Sequence, residues 1–453
     1  FLLGRGLGLL RTGAEGAEAR GLALAPFLGL TAALALGLTA LSVAAAGLIG
    51  FIGLVAPNLA RLAGAKRPRA ELLASLGFGA GLLMTTDCLT VLANHVTRDL
   101  VPSGAMTALV GAPALIWLMR RRLGAGDQAI YRLPLGPARV PRLVWPGVAL
   151  AALVITLVAL TVGRVEAGWQ AGWPTALTLD LRWPRVLAAA AAGLAMALSG
   201  VLLQRLIRNP LASPDILGMS AGATFALIGT AIVGGGSIHE VGAGTAILGS
   251  LLVLGLLLGL GRRHDHAPTV LALTGIALAA LLDALIKVAL AAGSQDSYAI
   301  IGWLGGSTYR VTPGEAGQLA LAAVIGLALV LMMRRWLTLL SAGDDMALAR
   351  GLSLRLARPL CLTLAAALAA LVTAWLGPVA FVGLLAPHTA VMLGARQAAS
   401  QALMAGGIGA VLMISSDWLG RTALFPMQLP AGSVASVLGG SYFMYLLLRR
   451  RIL

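Results

Sequence analysis

The sequence predicts an all-α polytopic membrane protein with about fourteen transmembrane helices. First, 59% of the 453 residues are apolar and only 11% are charged, which is about half the charged share of a soluble domain. Second, the mean hydropathy of +0.92 is spread over the whole length, which excludes a soluble enzyme with one membrane anchor. Third, runs such as 148–162 are apolar on all sides, whereas the strands of a membrane barrel alternate apolar and polar residues.

Clusters of Gly, Pro and Arg divide the chain into apolar stretches of about 17 to 25 residues, the length that crosses a bilayer. The abundance of Gly (58) and Pro (20) fits closely packed and often interrupted helices. The predicted spans lie near residues 23–46, 48–63, 72–94, 104–119, 143–163, 186–206, 216–234, 242–260, 269–292, 315–333, 359–376, 378–395, 402–420 and 432–448.

An internal repeat with an offset of 330 residues organises the chain. Chance matches in such a composition would involve Ala and Leu, but here Asp, Pro, Phe and Gly align in one register. The matched pairs include Gly47 with Gly377, Phe51 with Phe381, Pro57 with Pro387, Gly64 with Gly394, and Asp87 with Asp417. Two copies of one membrane unit are therefore expected.

The repeat predicts how the chain is divided. Residues 1–122 are expected to be the carboxy-terminal four-helix part of a first unit, 123–141 a cytoplasmic linker, and 142–453 a complete second unit of ten helices. Because ten is even, successive units enter the membrane in the same direction, as the parallel repeats of transporters do. The chain also begins with Phe1, so we expect the amino-terminal part of a longer protein to be missing.

The formal net charge of +16 is interpreted as a sign of membrane topology and not of a nucleic-acid partner. With the linker in the cytoplasm, 26 of the 33 Lys and Arg residues fall on the cytoplasmic side, as the positive-inside rule requires. The other seven are Arg98, Arg164, Arg182, Arg185, Lys287, Arg310 and Arg421.

Two polar segments are expected at the cytoplasmic face. The turn 204–218, with Asn209, Pro210 and Leu211, is either a tight re-entry turn or a constriction at the cytoplasmic mouth. The loop 334–358 either is solvated or carries a short surface helix that docks a soluble partner. Recurrence of its Ala-Arg-Gly-Leu sequence favours docking, and the residues concerned are Gly343, Asp344, Asp345, Ala349, Arg350 and Gly351, with Arg20 and Gly21 in the first unit.

Two further groups are singled out in and above the spans. Trp303, Gly305, Gly306 and Ser307 follow a short half-helix and are either part of an interfacial aromatic belt or the lining of an outer vestibule. Asp283 and Lys287 are four residues apart on one helix face, so they are expected to form an intramembrane ion pair in preference to a proton relay. Asp87 and Asp417 occupy equivalent positions, which packing within each unit explains as well as function does.

Enzyme chemistry is not expected. The only lysines, Lys66 and Lys287, lack the flanking Gly and Ser or Thr of a nucleotide-binding P-loop. The stretch 264–266 is interpreted as solvated and not as a metal site. Cys88 and Cys361 lie inside apolar spans, so neither disulfides nor a Cys-based metal site is expected.

With these motifs the chain resembles the permease subunits of iron-siderophore and cobalamin ABC importers, the FecCD family, which has ten helices per unit. The matching stretches are Arg-Trp-Pro-Arg at 182–185, Arg-Asn-Pro-Leu-Ala-Ser-Pro-Asp at 208–215, Trp-Leu-Gly-Gly-Ser at 303–307 and Gly-Pro-Val-Ala-Phe-Val-Gly-Leu-Leu-Ala-Pro-His at 377–388. Two fused units are similar to the ferric-hydroxamate branch of the family.

The resemblance implies roles for these residues. The loop 343–351 and its counterpart at Arg20 and Gly21 would seat two copies of a cytoplasmic ATPase, which would use ATP and Mg, while this chain would bind no cofactor. The turn at 209–211 would belong to the cytoplasmic gate. Arg182, Arg185 and Arg421 would meet acidic residues of a periplasmic substrate-binding protein.

The resemblance also implies a function and leaves alternatives. The chain would be a permease in a bacterial inner membrane that moves ferric-hydroxamate siderophores by alternating access. The same machinery could carry haem, cobalamin or a catecholate chelate instead. A different class, the ion-coupled secondary transporter, would use Asp283, Lys287, Asp87 and Asp417 to bind the coupling ion.

Overall fold

A computed structural model describes residues 3–10, 13–47, 49–97, 102–122, 137, 139–166, 168–215, 217–234, 243–261, 268–291 and 297–449. Within these ranges the chain forms helices and one two-stranded antiparallel sheet. The prediction of an all-α polytopic membrane protein is thereby confirmed.

The helices follow one another along the whole chain. They are α1 (Gly4–Leu10), α2 (Ala14–Glu18), α3 (Leu24–Ala46), α4 (Ile52–Leu62), α5 (Pro68–Thr97), α6 (Ser103–Arg122), α7 (Val144–Thr161), α8 (Ala176–Ile207), α9 (Met219–Gly234), α10 (Ala243–Gly261), α11 (Pro268–Ala291), α12 (Ser297–Leu304), α13 (Pro313–Met332), α14 (Arg334–Ala342), α15 (Asp344–Ala349), α16 (Leu354–Leu376), α17 (Val382–Met392), α18 (Ala398–Thr422) and α19 (Ala431–Arg449).

Each predicted span coincides with a helix, but the helices differ in length. In the described part of the chain nine are long and apolar enough to cross a membrane. Helices α4 and α17 have 11 residues each, which gives them a length of about 16 Å against a hydrocarbon core of about 30 Å. The structure therefore does not establish fourteen separate crossings.

The repeat extends to the backbone conformation. Helices α3, α4 and α5 begin 330 residues before α16, α17 and α18 respectively. Phe51 and Phe381, which precede the short helices, have φ values of +68° and +66°, a left-handed conformation that is uncommon for a bulky residue. Each lies against a glycine of the last helix of its unit, Gly111 or Gly439, where a Cβ atom would come within 2.4 Å or 2.8 Å of the Phe Cβ.

The chain forms two compact units, Phe1–Gly124 with Ala280–Ser294, and Ala125–Ala279 with Gln295–Leu453. We call them unit 1 and unit 2. Unit 1 thus includes the carboxy-terminal half of α11, where Ala284 is buried in a small core with Ala105 and Ala108 of α6. The sequence-based division had placed all of α11 in the second unit.

Unit 2 is built around α8, whose middle is buried almost continuously from Val186 to Gln204. Glycines bring its backbone against two neighbouring helices. A Cβ atom on Gly200 would lie 1.8 Å from the carbonyl oxygen of Gly383 in α17, and one on Gly193 would lie 2.1 Å from that of Gly409 in α18. Small residues at such contacts give transmembrane helices their van der Waals packing.

A β-hairpin between α7 and α8 was not predicted from the sequence. Strand β1 (Val162–Val165) pairs antiparallel with β2 (Gly168–Ala171). Gly168 has a φ of +116° at the turn. The hairpin is held to α18 because the indole Nε1 of Trp418 donates a hydrogen bond to the carbonyl oxygen of Val162 at 3.1 Å.

Replacing Gly200 with Ala is expected to destabilise unit 2 by about 1–3 kcal/mol, because the added methyl group overpacks a backbone contact. The measurement is the apparent melting temperature of the detergent-solubilised chain. Gly229→Ala in α9 is the control, since no atom lies within 4 Å of its would-be Cβ. Equal melting temperatures for the two variants would contradict this packing.

Candidate functional site

The predicted ATPase-coupling loop forms a helical turn on the surface of unit 2. Gly343, with a φ of +117°, ends α14 and begins α15, and Gly351 has a φ of +76° after α15. Asp345, Ala349 and Arg350 are exposed. Met346 and Leu348 are also 49% and 56% exposed, so the surface of this short helix offers both charged and apolar contacts.

Unit 1 carries a matching turn. Helix α2 begins 330 residues before α15, and Arg20 and Gly21 follow it as Arg350 and Gly351 follow α15. Arg20 and Gly21 are exposed, and Gly21 has a φ of +85°. Two similar turns are therefore available at equivalent positions of the two units.

The predicted gate turn begins where α8 ends. Arg208 takes a left-handed conformation with a φ of +55° at the C-cap of α8. The side-chain oxygen of Asn209 accepts a hydrogen bond from the backbone N–H of Leu211 at 2.9 Å, which closes a turn around Pro210.

Further along this turn, the hydroxyl of Ser220 donates to Asp215 Oδ1 at 2.8 Å. Burial raises the pKa of Asp215 to about 6, although the hydrogen bond from Ser220 opposes this shift. The turn is thus held by local hydrogen bonds that include the side chain of Asp215.

The residues predicted to line an outer vestibule are packed inside unit 2. Trp303, at the end of α12, and Gly306 are both buried. The backbone N–H of Gly432 donates to the carbonyl oxygen of Gly306 at 2.7 Å, and that of Ser307 donates to Leu376 O at 2.6 Å. Gly305 lies against Pro430. This segment therefore joins α12 to the start of α19 and the end of α16.

Arginines line a cleft of about 270 Å³ beside the hairpin. Three of them are the predicted docking residues Arg182, Arg185 and Arg421, and the fourth is Arg164 of β1, which sequence reasoning did not select. The lining residues are Gly163, Arg164, Thr178, Leu181, Arg182, Arg185, Arg421, Thr422, Phe425 and Gln428. Arg182 and Arg185 lie within α8, not ahead of it as predicted, because the helix begins at Ala176.

A single carboxylate holds this arginine cluster together. The side chain of Asp417 is fully buried, and its Oδ1 lies 3.3 Å from Arg185 Nη2 while its Oδ2 lies 3.0 Å from Arg421 Nε. The hydroxyl of Thr308 also donates a hydrogen bond to Asp417 Oδ1. Because four arginines line the cleft and one aspartate compensates them, the cleft keeps an excess of positive charge.

Backbone carbonyls complete the cluster. Arg182 Nη1 donates to Leu160 O at 2.7 Å and Arg421 Nη2 donates to Ala159 O at 3.0 Å, both near the end of α7. Arg185 Nη1 donates to Gln428 Oε1 at 3.0 Å. These acceptors fix the orientation of the guanidinium groups.

The remaining ionisable residues differ in their surroundings. Asp87 occupies the position of Asp417 in the repeat but is exposed in unit 1. Asp283 Oδ2 lies 2.7 Å from Lys287 Nζ, and both side chains are about half exposed. Among the described residues no group of three metal-ligating side chains occurs. The stretch 264–266 and Arg98 lie outside the described residues.

Asp417→Leu is expected to destabilise the chain by roughly 3–5 kcal/mol, because it leaves two buried arginines without their counter-charge. Asp87→Leu, the same substitution at the exposed equivalent position, should change stability little. Thermal unfolding of both purified variants in the same detergent is the measurement. If both variants unfold at the same temperature as the parent chain, Asp417 is not the counter-charge that holds the arginine cluster.

Comparison with known proteins identifies relatives for the whole chain. The iron(3+)-hydroxamate import system permease protein FhuB of Salmonella typhimurium is 39% identical over 96% of this chain and 64% of the relative. FhuB of Escherichia coli is 37% identical over 96% of this chain and 67% of the relative. This chain therefore spans about two thirds of the length of these relatives. The hemin transport system permease protein HmuU of Yersinia pestis is 33% identical over 68% of this chain and 97% of the relative.

A solved structure and a family model agree with these matches. An inward-facing structure of a proposed metal-chelate type ABC transporter matches 67% of this chain and 98% of its own, with a TM-score of 0.60 and 25% identity. The bacterial relatives and the long apolar helices identify a multi-pass protein of a bacterial inner membrane. The model of the FecCD transport family matches residues 1–121 and 149–449, so the chain belongs to the FecCD transport family.

Proposed function

We propose that this chain is the transmembrane permease of an ATP-driven importer that moves ferric-hydroxamate siderophores across the cytoplasmic membrane by alternating access. The observation that carries the proposal is the similarity to the FhuB proteins over 96% of the chain. The hemin permease HmuU is less similar, with 33% identity against 39% and 37% for the FhuB proteins. Haem, cobalamin and catecholate chelates therefore remain secondary candidates.

The surface turns support a role for a separate ATPase. The exposed Ala-Arg-Gly sequence at 349–351 recurs, also exposed, at 19–21 in the other unit, which suits two copies of one cytoplasmic subunit. ATP and Mg would bind to that separate subunit, because the sequence of this chain contains no P-loop. The exposed Met346 and Leu348 would supply apolar contact area to the docked subunit.

The arginine cleft supports docking of a periplasmic substrate-binding protein. Its excess positive charge would attract carboxylates on the partner and speed their encounter. Arg185 and Arg421 are already oriented by Asp417, so little side-chain entropy would be lost when the partner binds.

Transport in this proposal involves no chemistry on the chelate. ATP binding and hydrolysis on the partner would drive the permease between outward-open and inward-open states. Two of the carboxylates that an ion-coupled carrier would use are already paired. Asp417 is neutralised by two arginines and Asp283 by Lys287, so neither is an available ligand for a coupling cation.

Uptake of a ferric hydroxamate into proteoliposomes is expected only when the permease, the ATPase and the binding protein are all present with ATP. Radioactive iron retained in the vesicles is the measurement. Uptake that proceeds without the ATPase and the binding protein would contradict the proposal.

The double variant Asp283→Asn with Lys287→Met separates the two transporter classes in the same assay. It should retain uptake in an ATP-driven importer, because it removes both members of an ion pair at once and leaves no unpaired charge. Loss of uptake in a correctly folded double variant, with dependence on an ion gradient, would favour the secondary transporter.

Arg182→Glu is expected to slow association with the binding protein by about tenfold at low ionic strength, because it reverses one charge in the cleft. Surface plasmon resonance at several salt concentrations is the measurement. Arg310→Glu is the matched control, since Arg310 lies outside the cleft beside the Tyr309 ring. Equal slowing by both variants would show that general charge, and not the cleft, guides docking.

A further inference from the structure

One carboxylate on the surface helix α15 is engaged by two arginines from other elements. Arg358 Nη2 lies 2.7 Å from both carboxylate oxygens of Asp344. Arg208 Nη2 lies 3.4 Å from Asp344 Oδ1. The side chains of Arg358, Arg208 and Asp344 are 10%, 25% and 38% exposed, so the group is more sheltered than an ordinary surface ion pair.

The three residues belong to three different parts of unit 2. Arg208 caps the end of α8 and begins the gate turn, Asp344 opens α15, and Arg358 lies in the second turn of α16. Asp344 therefore links the surface helix to the ends of two transmembrane helices. Its hydrogen bonds to charged donors are of the stronger kind.

Gly343 adds a second contact to this link. A Cβ atom on Gly343 would lie 3.6 Å from Arg208 Nη1, so the guanidinium group rests directly over the bend between α14 and α15. Arg208, which has a φ of +55° at the end of α8, thus reaches from the gate turn to that bend.

The neighbouring aspartate is placed differently. Asp345 is exposed, and no ion pair joins it to another of the described residues. It is therefore available to a docked protein, whereas Asp344 is turned toward its own chain. Adjacent acidic residues in α15 thus provide a natural comparison.

Two of the three residues of this link are replaced in unit 1. The positions equivalent to Asp344 and Arg358 are Ala14 and Leu28. The surface helix recurs in unit 1, so the helix itself does not require the ion pairs. The link is an addition specific to unit 2.

We propose that Asp344 is a positioning residue that ties the ATPase-docking helix of unit 2 to the cytoplasmic gate turn through Arg208 and Arg358. The inference rests on the proposed function. A displacement of α15 by the ATPase would be passed to Arg208, and from there to Asn209, Pro210 and Leu211. Unit 1 would pass such a displacement on without this ion-pair link.

The test compares three variants in proteoliposomes that contain the ATPase, the binding protein and a ferric hydroxamate. Asp344→Asn should lower the number of chelates imported per ATP hydrolysed about tenfold, while the ATPase still co-purifies with the chain. Asp345→Asn should have the opposite effect: less ATPase should co-purify with the chain, and the number of chelates imported per ATP hydrolysed should not change. Asp344→Ala with Arg358→Leu copies unit 1 and should lose coupling as Asp344→Asn does.

A normal ratio of transport to hydrolysis in Asp344→Asn overturns the proposal, and so does loss of the ATPase from that variant, because Asp344 would then be a docking contact. If Asp344→Asn does not fold, the ratio of transport to hydrolysis is taken from the double variant, which removes Arg358 together with its counter-charge. Failure of the unaltered chain to import with its partners would refute the proposed function instead.

Discussion

Unit 2 depends on the direct backbone packing of α8 against α17 and α18. In a membrane the hydrophobic effect does not drive helices together, so close contact through small residues must supply much of the association. Gly193 and Gly200 provide it in α8, and no residue with a Cβ atom fits at either place without displacing a neighbouring backbone. The hydroxyl of Ser199 adds a hydrogen bond to Ala365 O in α16 at 2.8 Å.

This packing matters for function because α8 carries polar clusters at both ends. Arg182 and Arg185 lie near its start and join the cluster around Asp417, while Arg208 lies at its end and joins Asp344. Arg205 fixes the inner end to α18, since its Nε donates to Gln401 Oε1 at 2.6 Å. A helix of 32 residues spans about 48 Å, so one well-packed element connects the proposed docking cleft with the proposed gate.

The sequence predicted the helices and the repeat well, because long apolar runs and aligned Gly, Pro and Phe residues are local signals. It did not predict the pairing of Asp417 with Arg185 or of Asp344 with Arg208, because the members of these pairs are 232 and 136 residues apart along the chain. The predicted spans at α4 and α17 were longer than the helices, because the apolar residues ahead of each helix belong to a bend at Phe51 or Phe381. The hairpin was missed because its four-residue strands are defined only by their pairing.

Helix α8 is expected to behave as one rigid connecting element of unit 2, from Arg182 and Arg185 near its start to Arg205 near its end. Amide hydrogen exchange of the purified chain in lipid nanodiscs, followed by mass spectrometry, measures this rigidity. Residues 185–205 should exchange as one slow segment, more slowly than α10, because 83% of the most apolar 18-residue stretch of α8 is buried against 33% of that of α10. Separate, faster exchange in the middle of α8, or protection no greater than that of α10, would show that α8 is not one rigid element.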